Sequence, residues 1–207
     1  MSPKDPLIYE SHETMREQHR TSRQAEDFEY VEDDELPRYL DEIAPQIGWI
    51  IIIFNSLEDT VAGCLRELML RNPDTDESLD VFLTEMMFSG KARCLIHLYG
   101  QVIASCGLPT ANVDLTALER LLEECQKRRN EYAHGDWLGM KHGPMVRVKS
   151  QSKKRGVVHR YKRFNSADLE EDVDYIDAAR DAVYEFHQRV FDQLRESRPP
   201  RFVDQLT

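Results

Sequence analysis

Between Lys127 and Trp137 the chain reads Lys-Arg-Arg-Asn-Glu-Tyr-Ala-His-Gly-Asp-Trp, a stretch whose residue types and spacing can do proton and phosphate chemistry. Leu115, Leu118, Leu122, Cys125, Arg129 and Tyr132 recur every three or four residues, the period of one helix face. That phase puts Arg129 on the apolar stripe, so it is expected to point toward the core. His134 follows, and Gly135 is the residue expected just past a helix C-terminus. Asn130 lies one turn before His134, where its amide can hold one imidazole nitrogen in a chosen tautomer. Histidine transfers protons near neutral pH, and arginine offers planar donors to phosphate oxygens. Metal-free cleavage of RNA needs those functions: a base for the ribose 2′-hydroxyl, an acid for the leaving 5′-oxygen, and positive charge on the phosphorane between them. One histidine and one arginine per chain are few for these tasks. The reading therefore predicts a homodimer that brings two copies of the pair into one cleft.

The elements that must position this stretch are mostly helical. Pro37–Ala44 is expected as a short turn of helix, and Pro45 as the first position of a long helix that Asn72-Pro73 stops. Its stripe runs Ile47, Ile50, Ile51, Phe54, Leu57, Val61, Leu65 and Leu68, with Glu58 beside it, able to pair with Arg129 across a helix interface or simply to reach water. Ser89-Gly90 offers a cap for a second core helix from Lys91 to Ser105, and His97 within it reads as a packing residue more readily than as a ligand. The helix carrying Arg129 opens at Asp114 or Thr116. Met145–Lys149 and Val157–Phe164 then alternate in strand fashion around Ser150–Gly156, predicting a basic β-hairpin within an insertion spanning 141–164. A last helix is expected to be capped by Ser166 and to close at Arg198. The expected fold is all-α: a helical bundle of four to five helices over residues 37–198, with an acidic arm at 1–36 and a tail at 199–207.

Charge is unevenly distributed. Of a net −11, the stretch from Trp137 to Ala167 contributes nine positive charges and no acid, leaving −20 for the remainder. Arg147, Lys149, Lys153, Lys154, Arg155, Arg160, Lys162 and Arg163 can track an RNA backbone, with Tyr161 or Trp137 stacking on a base. They can equally keep an exposed strand edge soluble. Residues 1–35 hold eleven acids against four bases, the pattern of a solvated arm that can also compete with an anionic ligand. Cys64, Cys94, Cys106 and Cys125 lie far apart within helical patterns, as reduced and buried thiols would. The apolar run from Ile47 to Phe54 is too short to span a bilayer, and no leader precedes it, so a soluble cytoplasmic protein is expected. No cofactor is expected. A metal site from His134, Asp136 and His142 is a weaker rival, since the spacing matches no standard zinc pattern.

Arg129-Asn130-Glu131-Tyr132-Ala133-His134 resembles the Arg-Asn-x-x-x-His signature of the HEPN superfamily, and the order of two long helices, motif helix, insertion and closing helix resembles its layout. The resemblance implies a HEPN-like helical bundle acting as a homodimeric, metal-independent endoribonuclease. Arg129 and His134 would be the catalytic pair and Asn130 their helper; apart from the resemblance, the helix faces make Glu58 and Tyr132 the expected supporting residues. It also implies toxin–antitoxin, defence or RNA-processing settings, with an antitoxin or regulatory protein as a possible partner. Some HEPN toxins carry a nucleotidylated tyrosine two residues after the histidine; here that position is Asp136. Superfamily members that keep the bundle without catalysis imply an alternative, a non-catalytic RNA- or nucleotide-binding scaffold.

Overall fold

The computed structural model describes residues 17–20, 34–108, 115–138, 145–154 and 156–197. In chain order they form β1 (Glu17–Arg20), α1 (Leu36–Met69), α2 (Asp80–Leu83), α3 (Phe88–Cys106), α4 (Leu115–Ala133), β2 (Asp136–Leu138), β3 (Met145–Lys153), β4 (Gly156–Phe164) and α5 (Ser166–Ser197). The described residues are mostly helical with one small sheet, as expected of an all-α chain with a β-hairpin insertion, except that the sheet extends beyond the hairpin. Two compact units result, 1–50 with 130–172 and 51–129 with 173–207, and α1, α4 and α5 each contribute residues to both.

The first unit holds the sheet, an antiparallel array in the order β1-β4-β3-β2. The hairpin is as expected, but it has flanks that periodicity did not announce. β2, directly after Gly135, pairs Trp137 with Arg147, and β1 pairs Gln18 with Tyr161. Three and four residues are too few to display an alternating pattern. β1 lies within the stretch expected to be a solvated arm, where it covers an edge of β4. On one face Val146, Val148 and Tyr161 are buried with Leu138 against them, and the Tyr39 hydroxyl donates to the Leu138 carbonyl at 2.8 Å. The opposite face carries the cross-strand pairs Arg147–Lys162 and Lys149–Arg160.

The second unit is built from apolar helix faces. Phe54, Leu57, Val61 and Leu65 of α1 are buried, as are Leu95, Tyr99 and Ile103 of α3, Leu118, Leu122 and Cys125 of α4, and Ile176, Ala179, Val183, Phe186 and Val190 of α5. Each set repeats at three or four residues, which is why these segments are helical. The Phe54 and Phe88 rings meet at 4.7 Å.

Several boundaries differ from those expected. Pro45 sits inside one continuous helix of 34 residues instead of opening it. The hydrogen bond that proline forgoes would have used the carbonyl of Asp41, an exposed residue, so water can take its place. At this length α1 is apolar and long enough to cross a bilayer by length and composition, which the eight-residue run did not suggest, yet Phe54, Leu57, Val61 and Leu65 find their apolar contacts within the protein. α3 starts at Phe88, with Met87 in the cap position, and not after Ser89-Gly90. It ends on Gly107, whose left-handed backbone (φ 62°) lets its amide reach the Ile103 carbonyl. The cap of α5 is Asn165 and not Ser166: its Oδ1 accepts from the Asp168 amide at 2.9 Å, and Asp168 Oδ2 accepts from the Asn165 amide at 2.9 Å. His97 is exposed rather than packed, and of the four cysteines Cys64 and Cys125 are buried while Cys94 and Cys106 are exposed.

Candidate functional site

α4 ends at Ala133, and His134 is the first residue of the turn that follows. An α-helix leaves its last carbonyls without intrahelical donors. Here side chains of the sheet supply them: Arg147 Nη1 donates to the Glu131 carbonyl, and Trp137 Nε1 donates to the Tyr132 carbonyl at 3.5 Å. The expected glycine cap is therefore absent in its usual form. Gly135 does not take the left-handed conformation, and its lack of a side chain serves a different purpose. A Cβ at that position would collide with the Cγ and Cδ of Arg147, whose stem passes directly against the Gly135 backbone.

Arg147 is fully buried, which overturns its expected role in tracking an RNA backbone. A guanidinium in that position requires compensation. The Glu131 carboxylate provides it, with Oε2 3.5 Å from Arg147 Nη2 and 3.0 Å from Lys162 Nζ. Burial pulls the Glu131 carboxyl upward, but the Lys162 hydrogen bond and the charges of Lys162, Arg147 and Arg160 outweigh it and hold the group below its ordinary range. Lys162 is accordingly engaged in the same ion cluster and is likewise not free to hold RNA. A carboxylate in the last turn of a helix opposes the helix dipole. That opposition was the available signal for a cationic partner, and the basic segment ahead supplied one.

Tyr132 locks the helix end from its other side. Its hydroxyl donates to Asp172 Oδ2, and burial followed by the Asp172 carboxylate pushes its pKa far up, so it remains a donor at all ordinary pH. Its ring stacks on Trp137 (5.9 Å between centroids, 9° between planes) and tilts against Phe164 at 5.3 Å. In the second unit, Arg128 lies 3.9 Å from the Tyr175 ring centroid and Arg129 lies 5.4 Å from that of Phe54. Arg129 thus turns toward the apolar side of its helix, as its phase implied, while retaining some exposure.

His134 is exposed and makes no hydrogen bond among the described residues, so the Asn130 amide does not orient its imidazole. Asn130 itself is half-buried. Glu58 is also placed differently from the expectation: Lys91 Nζ binds its Oε1 at 2.6 Å, and Arg129 is not its partner. The hairpin cations with solvent exposure are Lys149, Lys154, Arg160 and Arg163, while the side chains of Lys153 and Arg155 lie outside the described residues, as does His142. No family model matches the sequence, and no curated protein or solved structure matches it either.

Proposed function

We propose that the chain is a HEPN-like, metal-independent endoribonuclease that works as a homodimer, with His134 and Arg129 as its reacting pair. The observation that carries the reading is the placement of His134: exposed, unengaged, and the first residue beyond a helix whose last turn is anchored on two sides. One His134 removes the proton of the ribose 2′-hydroxyl, and O2′ attacks phosphorus. Arg129 stabilises the phosphorane, the P–O5′ bond breaks, and the second chain's histidine delivers a proton to O5′. The products are a 2′,3′-cyclic phosphate and a 5′-hydroxyl. Lys149, Lys154, Arg160 and Arg163 hold the RNA backbone. Asn130 has no assigned role, because its amide does not reach the imidazole as the sequence suggested.

Cleavage of a mixed single-stranded and structured RNA pool in excess EDTA, comparing the natural chain with Arg129→Ala and His134→Ala, tests the proposal. Cyclic-phosphate ends from the natural chain alone are expected. RNA bound without cleavage in all three samples would replace the enzyme with a non-catalytic RNA-binding scaffold.

A further inference from the structure

Among the described cations of the basic hairpin, Arg147 is the one that solvent does not reach, and its stem lies against the backbone of Gly135, the residue after His134. We infer that Arg147 is a positioning residue for His134, fixing the backbone of the turn from Glu131 to Asp136 so that the imidazole leaves the helix end in one direction. The inference rests on the reading of His134 as a reacting group, but its structural half stands apart from that reading.

Three observations converge on it. First, Arg147 contacts the turn at both ends. Its Nη1 donates to the Glu131 carbonyl within the last turn of α4, and its stem fills the place a side chain at position 135 would need. His134 lies between these two contacts in sequence and has no hydrogen bond of its own among the described residues. What the backbone of the turn sets is the direction in which its Cα–Cβ bond leaves the helix end. Second, Arg147 is itself held by strand pairing, with Trp137 on one side and Lys162 on the other, so the sheet and not a flexible loop delivers the guanidinium. A group that must orient a reacting side chain works best from a rigid element. Third, a lysine at 147 would carry the charge without the branched guanidinium, in which Nη1 reaches the carbonyl while Nη2 lies 3.5 Å from the Glu131 carboxylate. Gly135 completes the arrangement, since any larger residue would push the stem away.

A phosphate-tracking arginine and a positioning arginine differ in measurable ways. Loss of a phosphate contact weakens RNA binding and lowers the salt slope by about 1. Loss of positioning leaves both alone, lowers kcat, and loosens the turn; displacements of about 1 Å at a reacting group can cost on the order of a hundredfold.

The experiment uses the full chain and the variants Arg147→Lys, Arg147→Met and Gly135→Ala. Backbone amide exchange is followed at 134–136 and in β3 and β4, together with RNA binding across salt concentration and cleavage kinetics. For Arg147→Lys the expected result is exchange at 134–136 accelerated by about tenfold or more while β3 and β4 keep their protection, with kcat reduced and KM and the salt slope unchanged. Arg147→Met is expected to act in the same direction and more strongly. Should either Arg147 variant unfold, Gly135→Ala decides, because it displaces the stem while keeping the Arg147–Glu131 charges; it is expected to loosen the same amides.

Exchange at 134–136 that stays at the natural rate in folded variants overturns the inference. So does a lower salt slope in Arg147→Lys, which would return Arg147 to the RNA contacts. If the natural chain cleaves no RNA, the endoribonuclease proposal fails alone, and the exchange result still decides whether Arg147 holds the turn.

Discussion

Two buried polar networks, one in each unit, solve the same problem by opposite means. In the first, Arg147, Lys162 and Glu131 are charged, and the cost of burying them is offset by their mutual attraction and by the Glu131 carbonyl. In the second, α1, α3 and α5 meet through a tyrosine–histidine hydrogen bond that a carboxylate joins from the partly exposed edge. His187, 1% exposed, takes a 2.9 Å hydrogen bond between its Nδ1 and the Tyr99 hydroxyl, and its Nε2 lies 3.1 Å from Glu67 Oε2 at the partly exposed edge. Burial pushes the Tyr99 hydroxyl far up, so it stays protonated and can donate to Nδ1. The neighbouring Cys64 thiol is pushed up to about 11, chiefly by burial. The charged network faces the turn that bears His134, whereas the tyrosine–histidine one is surrounded by aliphatic and aromatic packing, with Phe186 4.7 Å from the Tyr99 ring. A guanidinium–carboxylate pair is used where a backbone carbonyl and a turn have to be fixed, and a tyrosine–histidine hydrogen bond where helices only have to be kept in register.

Removing the acid from the charged network should have the largest effect. Glu131→Ala leaves Arg147 buried without its carboxylate, and breaking a buried pair in this way costs about 3–5 kcal/mol. Urea denaturation at neutral pH measures it, and a loss below about 1 kcal/mol would mean that water reaches Arg147 after all. The pH dependence has a definite sign. The Glu131 carboxyl is held below its ordinary range in the folded state, so its contribution is present above the unfolded value and is lost as pH falls through the folded one. The difference between the natural chain and Glu131→Gln should therefore shrink on acidification.

The tyrosine–histidine network should break more gently. Tyr99→Phe removes one hydroxyl and leaves the His187 Nδ1 without a partner, for which about 1–3 kcal/mol is expected. The same denaturation measurement serves, and an effect as large as that of Glu131→Ala would collapse the distinction between the two networks.

How much of this was legible in the sequence follows from the physics of each signal. Helix faces are periodic, so the core positions of α1, α3, α4 and α5 and the two hairpin strands could be read directly. Arg129 could be assigned to the apolar side of its helix from phase alone. β1 and β2 could not, because three or four residues show no period, and their pairing depends on edges that only the folded hairpin creates. The cationic run from Trp137 to Ala167 was visible as a charge count, but its division into structural and exposed members was not. Arg147 and Lys162 occupy cross-strand positions on one face, and only the strand register brings that face to Glu131. The missed clue was local: Glu131 stands at the wrong end of its helix for a carboxylate, and Gly135 follows it at a distance that suited a cap equally well. A glycine required for its backbone freedom and one required for the space it leaves look identical in a sequence.

The smallest effect separates the networks at high pH. Cys64 titrates near 9.0 when unperturbed and at about 11 in the folded protein, so unfolding releases a more acidic thiol. The raised value stabilises the fold fully below about 9, and that contribution declines between about 9 and about 11 as the unfolded chain alone loses its proton. The charged network offers no such term from Glu131, which remains ionised throughout this window. Alkaline destabilisation should thus be reduced in Cys64→Ala, compared with its own stability at neutral pH, and unaltered in Glu131→Gln. Thiol labelling provides the companion measurement at mildly alkaline pH: Cys94 and Cys106 are exposed and should react at once, while Cys64 and Cys125 wait for the fold to open. Rapid labelling of Cys64 in the folded protein would show that the tyrosine–histidine network opens locally, and the comparison would then lie between a rigid arginine–glutamate cluster and a mobile tyrosine–histidine one.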